Sequence, residues 1–254
     1  MRMDINCDMG ESFGPYTMGE DKKMMEFATS VNIACGFHAG DPAVMAETVR
    51  LAAQYGVAVG AHPGYPDLLG FGRRKLETGP GEVKNYVLYQ VGALSGFLRE
   101  RGLRLQHVKP HGALYNLAAI EERTASEIIA AVKAFDPGLL LVVPAGSLCA
   151  EMAVSAGLNV AVEAFCDRGY LASGELAPRT LAGAVIHDPE AVRERIVLLA
   201  GSGRIPTVDG GQIELKPSTL CVHGDTVGAW QIARTVREVL QEAGVEVAPM
   251  GKAP

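Results

Sequence analysis

Two histidines and a lysine lie within five positions of the stretch HVKPHGALY, residues 107–115. Side chains alternate in direction along a β-strand, so His107, Lys109 and His111 are predicted to share one face. Pro110 cannot donate a hydrogen bond to a neighbouring strand, which indicates that the strand ends there. A lysine buried at a strand end is costly unless it meets an anion, and histidine titrates near neutral pH. This face is therefore expected to bind an anion or to transfer protons.

Further polar side chains alternate with, or directly follow, other apolar runs of the chain. Asp4, Asn6 and Asp8 share one face of the first run by the same alternation. An unpaired polar group inside a barrel costs ~1–3 kcal/mol. The accumulation of such groups at strand ends therefore favours an active site over a structural network. The other members of this set are Glu163, Asp167, His223, Asp225, and the histidines of GFHAGD and GAHPGYPD, His38 and His62.

Structural roles stay open for several of these residues. Asp4 and Asn6 lie at the base of their strand, where structural hydrogen bonds are expected. His107 suits a core position as well as a catalytic one. Asp167 either forms an internal ion pair with Arg168, its neighbour in the sequence, or faces the site.

The histidines also raise the question of a metal. His107 and His111 are four residues apart, the spacing that places two ligands on one face of a helix. This segment is predicted to be a strand, so the helical argument does not apply, and the motif HEXXH is absent. An Asp/His site assembled from different strands remains open. The metal content is therefore unknown from the sequence.

Seven short apolar runs are predicted to be strands, and helical patterns separate them. Apolar residues at three- and four-residue steps predict the helices, one of which begins at the Asp41-Pro42 cap. Residues 205–215 are predicted to form a β-hairpin around Asp209-Gly210-Gly211. Alternating strands and helices imply a parallel sheet wrapped by helices. The predicted strands are 4–8, 31–36, 57–61, 105–109, 139–143, 159–165 and 219–223.

A closed barrel is favoured over an open doubly wound sheet. The first strand, DINCD, is followed by MGESFG, which lacks the G-x-G-x-x-G fingerprint of a dinucleotide-binding sheet, and the chain has no P-loop. Polar residues instead follow nearly every strand, as in barrels whose active site is built from the loops after the strands. The predicted fold class is α/β, a distorted seven-stranded (β/α) barrel, in a single domain over residues 1–254.

The composition argues against nucleic acid and membranes as binding partners. A net charge of -6 gives no basic face for nucleic acid or anionic lipid. No run approaches the ~20 apolar residues of a membrane span, and no signal segment is visible at the N-terminus. The five cysteines contain no CxxC pair and are interpreted as reduced, buried residues of a cytoplasmic protein. The tail after Gly244 is expected to be loosely held.

Seven motifs, in this order, resemble those of the LamB/YcsF family: DINCDMGESFG, NIACGFHAGDP, GAHPGYPDLLGFGRR, HVKPHGALYN, EAFCDRGY, LAPR and VHGDT. The resemblance covers roughly residues 3–244. It implies a barrel of the glycoside hydrolase/deacetylase type. It also implies an ATP-dependent 5-oxoprolinase activity, in which 5-oxo-L-proline is opened to L-glutamate while ATP is hydrolysed to ADP and phosphate. The further implications are magnesium as the companion of ATP and two partner subunits, B and C.

The implied reaction suggests roles for the polar residues. A lactam C–N bond has partial double-bond character and resists water, so phosphorylating its carbonyl oxygen would activate the carbon. Such chemistry needs cations for phosphate oxygens, a base for water and an acid for the leaving nitrogen. The catalytic candidates are Lys109 as cation, Asp8, His38 or Asp225 as base, and His62 or His111 as acid; the substrate-binding candidates are Arg73 and Arg74 of FGRRK, Asn6, Glu163, Asp167 and His223.

Two other functions remain open at this point. One is a stand-alone, metal-dependent deacetylase or amidohydrolase on the same barrel. The other is a non-catalytic subunit that binds the substrate and delivers it to partners. The chain shows no P-loop or kinase glycine loop, so a nucleotide site is either of an unfamiliar kind or completed by another polypeptide.

Overall fold

Parallel strands close into a barrel in the computed structural model, which describes residues 2–224 and 228–251. Six strands pair in chain order, a seventh from near the C-terminus follows them, and it pairs back with the first. The six are β1 (Arg2–Met9), β2 (Ser30–Ala34), β3 (Ala58–His62), β4 (Leu105–Val108), β5 (Leu140–Pro144) and β6 (Asn159–Phe165). A hairpin of β7 (Arg204–Pro206) and β8 (Gln212–Glu214) precedes the closing strand, β9 (Thr219–Val222).

This architecture confirms the predicted seven-stranded barrel. Each predicted strand matches an observed one within a few residues, and the hairpin lies where it was expected. The register places Asp4 beside Thr219 and Asn6 beside Cys221, so β1 and β9 close the ring directly. Because all seven strands are parallel, their carboxyl ends open on one side of the barrel.

Helices cover the outside of the barrel. Asp41 accepts hydrogen bonds from the backbone N–H groups of Ala43 and Val44 and so caps the helix that starts at Pro42, as the sequence predicted. None of the helices in the described ranges is both long enough and apolar enough to cross a membrane. The helices are α1 (Asp21–Met24), α2 (Pro42–Tyr55), α3 (Glu82–Glu100), α4 (Gly112–Ala118), α5 (Glu122–Phe135), α6 (Leu148–Ser155), α7 (Pro189–Ser202) and α8 (Ala229–Glu242).

The two faces of β1 show how the interior is divided. Met3, Ile5, Cys7 and Met9 are buried and belong to the hydrophobic core between strands and helices. The alternating residues Asp4, Asn6 and Asp8 are also buried, but they hydrogen-bond to polar side chains on or directly beside other strands. The barrel interior is therefore a hydrogen-bonded polar column, and the apolar core surrounds it.

The C-terminal segment corrects one expectation. The sequence predicted a loosely held tail after Gly244, but β10 (Glu246–Val247) pairs in parallel with β1. Met250 is buried and packs against Val142 and Ala161 at the amino-terminal end of the barrel. The described part of this tail, up to Gly251, is held because the open end of the barrel offers both a free stretch of the β1 edge and an apolar patch to cover.

Candidate functional site

A cavity of about 800 Å³ opens at the carboxyl ends of the strands. Its wall contains half of the predicted catalytic and substrate-binding residues, on β1, β3, β6, the loop after β4 and the segment after β9. Arg73, from the loop between β3 and α3, also lines it. The predicted residues on the floor and inner wall are Asp8, His62, Lys109, His111, Glu163 and His223.

Lys109 is the buried cation at the floor of this cavity. Its Nζ lies 3.1 Å from Asp8 Oδ1 and 2.9 Å from Glu163 Oε1, and only 2% of the residue is exposed. Burial alone would lower the pKa of Lys109, but the carboxylates of Asp8 and Glu163 together with Cys221 raise it well above its ordinary value. In turn, burial would raise the pKa of Asp8, but His62 and Lys109 hold it well below its ordinary value. The site therefore contains fixed charges of both signs.

A second layer of hydrogen bonds supports these charges. Asn32 Nδ2 donates to Asn6 Oδ1 at 2.7 Å and to Asp8 Oδ1 at 2.8 Å. His107 Nε2 lies 2.6 Å from Asn32 Oδ1 and must donate to it, because an amide oxygen only accepts. Burial, followed by the charge of Lys109, lowers the pKa of His107 to about 3. Of the two roles left open for His107, the geometry supports the structural one, with Asn6 in the same supporting layer.

Three histidine rings meet beside the charged floor. His62 Nε2 lies 2.9 Å from His111 Nδ1, and His38 stacks on His111 with ring centroids 3.8 Å apart. His62 stands nearly perpendicular to both rings. Burial first, then the neighbouring histidines, hold the pKa of His38 well below its ordinary value, and burial and His62 do the same for His111. His38 lies behind His111 rather than on the cavity wall.

The loop between β3 and α3 positions these rings. Phe71 has φ of 54°, a left-handed conformation that costs energy in a residue other than glycine, and its carbonyl oxygen lies 2.8 Å from His111 Nε2. Gln90, buried on α3, exchanges hydrogen bonds of 2.9 Å with both the N–H and the carbonyl of Gly64. A Cβ on Gly64 would lie 2.6 Å from His38 Nδ1, so this glycine allows the ring to approach the loop.

The two adjacent arginines of FGRRK point to different places. Arg73 lines the cavity, and its guanidinium lies 4.9 Å from the centroid of the Phe71 ring. Arg74 pairs with Asp67, with Nε 3.0 Å from Oδ2, and does not line the cavity. One arginine of the pair thus lies at the site, and the other fastens the loop that carries both.

Asp167 and His223 form a pair at the rim. His223 Nδ1 lies 3.0 Å from Asp167 Oδ2, its backbone N–H donates to the same oxygen at 3.1 Å, and its ring stacks on Phe165. Burial would raise the pKa of Asp167, but His223 lowers it. Arg168 does not form the alternative ion pair with Asp167. It donates to the carbonyls of Ala184 and Ala177 and so holds the segment between β6 and α7.

Asp225, the last of the predicted catalytic residues, lies outside the described residues. Three residues that the sequence analysis did not select are part of the site. Tyr115 donates from its hydroxyl to Glu163 Oε2 at 2.7 Å, and Arg179 lines the cavity. Glu11, just past β1, is buried with its Oε1 3.7 Å from His38 Nε2. The signals were available: Tyr115 is one helical turn after His111, Arg179 is in LAPR, and Glu11 follows the first strand as the other polar residues follow theirs.

Comparisons with known proteins agree with this picture. A sequence model of the LamB/YcsF family matches residues 3–254. The A subunit of 5-oxoprolinase from Syntrophobacter fumaroxidans is 63% identical over 251 residues, which cover 99% of both chains. The protein of the same name from Pyrococcus horikoshii is 51% identical over 250 residues, which cover 98% of both chains.

Two solved structures are similar in fold. The crystal structure of the lactam utilization protein from Thermus thermophilus has a TM-score of 0.93 and 51% identity, and the match covers 98% of this chain and 99% of that one. A family 4 carbohydrate esterase from Streptomyces lividans has a TM-score of 0.50 at 9% identity, with 98% of this chain and 93% of the esterase covered. The second likeness concerns the fold alone.

Proposed function

Because the chain belongs to the LamB/YcsF family, we propose that it is one component of an enzyme that opens 5-oxo-L-proline to L-glutamate and hydrolyses ATP to ADP and phosphate. Its relatives named as the A subunit of 5-oxoprolinase align with it over nearly their whole length. The observation that carries the proposal is the floor of the cavity, where Lys109, Asp8 and Glu163 form a buried charged group within reach of a small substrate.

The chemistry of the lactam explains why such a floor is useful. The ring C–N bond has partial double-bond character, so the carbonyl carbon reacts slowly with water. Transfer of a phosphoryl group to the carbonyl oxygen would create a good leaving group and make ring opening favourable. The carboxylate of 5-oxoproline and the phosphate are both anions. Arg73 and Arg179 line the cavity as cations that suit them, because a guanidinium often binds a carboxylate or a phosphate through two hydrogen bonds. Arg168 also lines the cavity, but its guanidinium donates to the carbonyls of Ala184 and Ala177.

We assign some of the buried groups to catalysis and the others to substrate binding. Lys109 keeps Asp8 ionised, and we assign Asp8 as the base that orients or deprotonates the attacking water. His62 and His111, which also line the cavity, are assigned to proton transfer toward the leaving nitrogen. Glu163, held by Tyr115 and Lys109, and the His223–Asp167 pair are assigned to substrate binding. His38 and Asp225 remain proposed as alternative bases, and Asn6 and Arg74 as supports of the binding residues.

The proposal includes partners. The chain carries no sequence signature of a familiar nucleotide site, so we assign the completion of the ATP site, with magnesium, to two partner subunits, B and C. A reaction that consumes ATP and yields glutamate fits the cytoplasm. The net charge of -6 gives no reason to expect nucleic acid or membrane as partner.

The decisive experiment measures phosphate and glutamate together. The purified chain, the two partner subunits, and the mixture of all three are each supplied with saturating 5-oxo-L-proline, ATP and magnesium. We expect coupled release of the two products from the mixture and little from the chain alone. An assay without 5-oxoproline corrects for uncoupled ATP hydrolysis.

Each departure from the expected product release would contradict a different part of the proposal. Stoichiometric release by the chain alone would contradict the need for partners and leave the reaction standing. Absence of oxoproline-dependent release from the complete mixture would contradict the proposed reaction itself. Full activity of a mixture that carries an Asp8→Asn chain would reduce this protein to a binding role.

A further inference from the structure

We propose that His38, His62, His111 and Glu11 bind a divalent first-row transition metal of the zinc class. These four side chains are buried, and one ligand atom from each lies within 4.8 Å of those of the other three. The inference goes beyond the proposed function and competes with one part of it, because His62 and His111 could not transfer a proton to the leaving nitrogen while they bind a metal.

The hydrogen bonds of two rings fix which nitrogens are free. His62 Nδ1 lies 2.7 Å from the carbonyl oxygen of Lys109, and His111 Nε2 lies 2.8 Å from the carbonyl oxygen of Phe71. A carbonyl oxygen only accepts, so both outer nitrogens carry the proton. The inner nitrogens, His62 Nε2 and His111 Nδ1, therefore present lone pairs to each other at 2.9 Å. Outer nitrogens that donate to carbonyls are the usual arrangement of metal-binding histidines, because the second hydrogen bond orients the ring.

His38 supplies an independent observation. The residue is 1% exposed, and neither of its ring nitrogens has a hydrogen-bond partner in the described parts of the chain. Its Nε2 faces Glu11 Oε1 at 3.7 Å, and the same oxygen lies 3.9 Å from His111 Nδ1. A buried polar atom without a partner costs about 1–3 kcal/mol, so its retention calls for a ligand.

A proton would satisfy only part of this arrangement, whereas a metal would satisfy all of it. One proton between His62 and His111 would pair two lone pairs and leave His38 as it is. A cation would contact all three imidazoles and the carboxylate after a rotation of His38 out of its parallel stack on His111, because an imidazole binds a metal in the plane of its ring. Ligand atoms about 2.1 Å from zinc stand about 3.4 Å apart in a tetrahedral site. The separations of 2.9 Å between His62 and His111, 3.7 Å between His38 and Glu11 and 3.9 Å between His111 and Glu11 lie on either side of that value.

The ligand types select the metal. Imidazole suits zinc, copper, iron and nickel, whereas magnesium and calcium prefer sites made of oxygen. Gly64 and Gly72 leave space around the rings. A Cβ on Gly72 would lie 2.7 Å from His38 Cβ and 2.8 Å from His111 Cδ2. Since His62 and His111 also line the cavity, the bound metal would lie behind its wall and next to the substrate.

The test is direct metal binding by the full chain after removal of metals with a chelator. Zinc and cobalt are titrated with calorimetry, and bound cobalt is followed by its visible absorption. We expect one ion per chain, no competition from magnesium, and a loss of affinity of at least about tenfold in both His38→Ala and Glu11→Gln. The exposed His187 provides the matched control, because His187→Ala removes a histidine and leaves the site intact.

The controls separate this site from its neighbour. Asp8, Cys221 and His223 form another group with ligand atoms close together, so His223→Ala is measured in parallel. Loss of the ion in His223→Ala with retention in His38→Ala would overturn the proposal, as would wild-type protein that binds no more zinc than the two site variants. If His38→Ala does not keep its native circular dichroism, Glu11→Gln decides, since glutamine has the same shape as glutamate.

Discussion

Lys109 can be buried in the barrel interior because two carboxylates beside it compensate its charge. Asp8 and Glu163 both lie within 3.1 Å of its ammonium group, and all three side chains are almost completely enclosed. Breaking a buried ion pair by removing one partner is costly, because the other charge is left without compensation. The effect of replacing one residue of this group on stability therefore depends on which charged neighbours are left unpaired.

We predict that Lys109→Met lowers the free energy of unfolding by about 3–5 kcal/mol and lowers oxoproline-dependent turnover by about 10²-fold or more. Urea unfolding and glutamate release by the three-subunit mixture measure the two effects. The exposed Lys75 is the control, since Lys75→Met removes a lysine without a buried partner. Adding Asp8→Asn to Lys109→Met should restore part of the stability and none of the turnover. Unchanged stability of the single variant would show that the carboxylates do not need this lysine.

The neighbouring arginines allow a matched comparison. Arg73 lines the cavity and Arg74 pairs with Asp67, so we expect Arg73→Ala to raise KM for 5-oxoproline or ATP by about tenfold. Arg74→Ala should change KM several-fold less and mainly loosen the loop. Steady-state kinetics of the two variants in the complete mixture are the measurement. An equal effect of both substitutions would mean that the loop as a whole, and not one guanidinium, sets affinity.

At the scale of the elements, Asp4 connects three strands at the amino-terminal end of the barrel. Its carboxylate accepts hydrogen bonds from Thr29, Ser30 and Thr219. Burial raises the pKa of Asp4 to about 6 from 3.8, and the hydroxyl groups offset this only in part. Between these values the folded protein keeps a proton that the unfolded chain has released, so the free energy of unfolding falls as the pH rises through this window.

Asp4→Asn removes that titration. Relative to wild type, the variant should gain about 3 kcal/mol of unfolding free energy between about pH 4 and about pH 7, because one pKa unit corresponds to about 1.4 kcal/mol. Urea unfolding of both proteins across this range provides the measurement. A difference between them that stays constant with pH would indicate that Asp4 is ionised throughout.

At Gly60, the backbone of β3 packs directly against the imidazole ring of His107 on β4. A Cβ on Gly60 would lie 2.0 Å from His107 Nε2, so we expect Gly60→Ala to destabilise the protein by about 3 kcal/mol or to prevent folding. In Gly92, on the exposed side of α3, a Cβ meets no atom within 4 Å. Gly92→Ala should therefore stabilise by about 0.5–1 kcal/mol through helix propensity. Thermal unfolding of both variants tests the pair, and equal effects would contradict the packing argument.

The strands were predictable from sequence and the side-chain partners were not. Alternation along DINCD predicted that Asp4, Asn6 and Asp8 face one way, and the structure confirms it. The same rule does not tell which side chain lies opposite, so it left open whether Asp167 pairs with Arg168 or faces the site; in the structure Asp167 binds His223. Glu11 and Tyr115 were missed because their roles depend on loops and helix starts, which alternation does not describe.

At the scale of the whole molecule, the ends of the chain meet. Arg2 donates to the carbonyl of Pro249, the N–H of Ala248 donates to the carbonyl of Met3, and Met250 covers the bottom of the barrel. We predict that Met250→Ala lowers the free energy of unfolding by about 2 kcal/mol, because it uncovers Val142 and Ala161. Urea unfolding measures it, with the exposed Met18→Ala as control. Equal stability of the two variants would mean that the bottom is closed without this side chain.

The closure of the ring through β1 and β9 also constrains how the protein is made. Asn6 and Asp4 hydrogen-bond to Thr219 across 213 and 215 residues of sequence, so a chain emerging from the ribosome carries these polar groups long before their partner. Until β9 emerges, β1 has one open edge, and Asn6 and Asp4 lack their hydrogen bonds to Thr219. The barrel is expected to close only when synthesis is nearly complete, and until then the open edge of β1 is exposed to pairing with other chains.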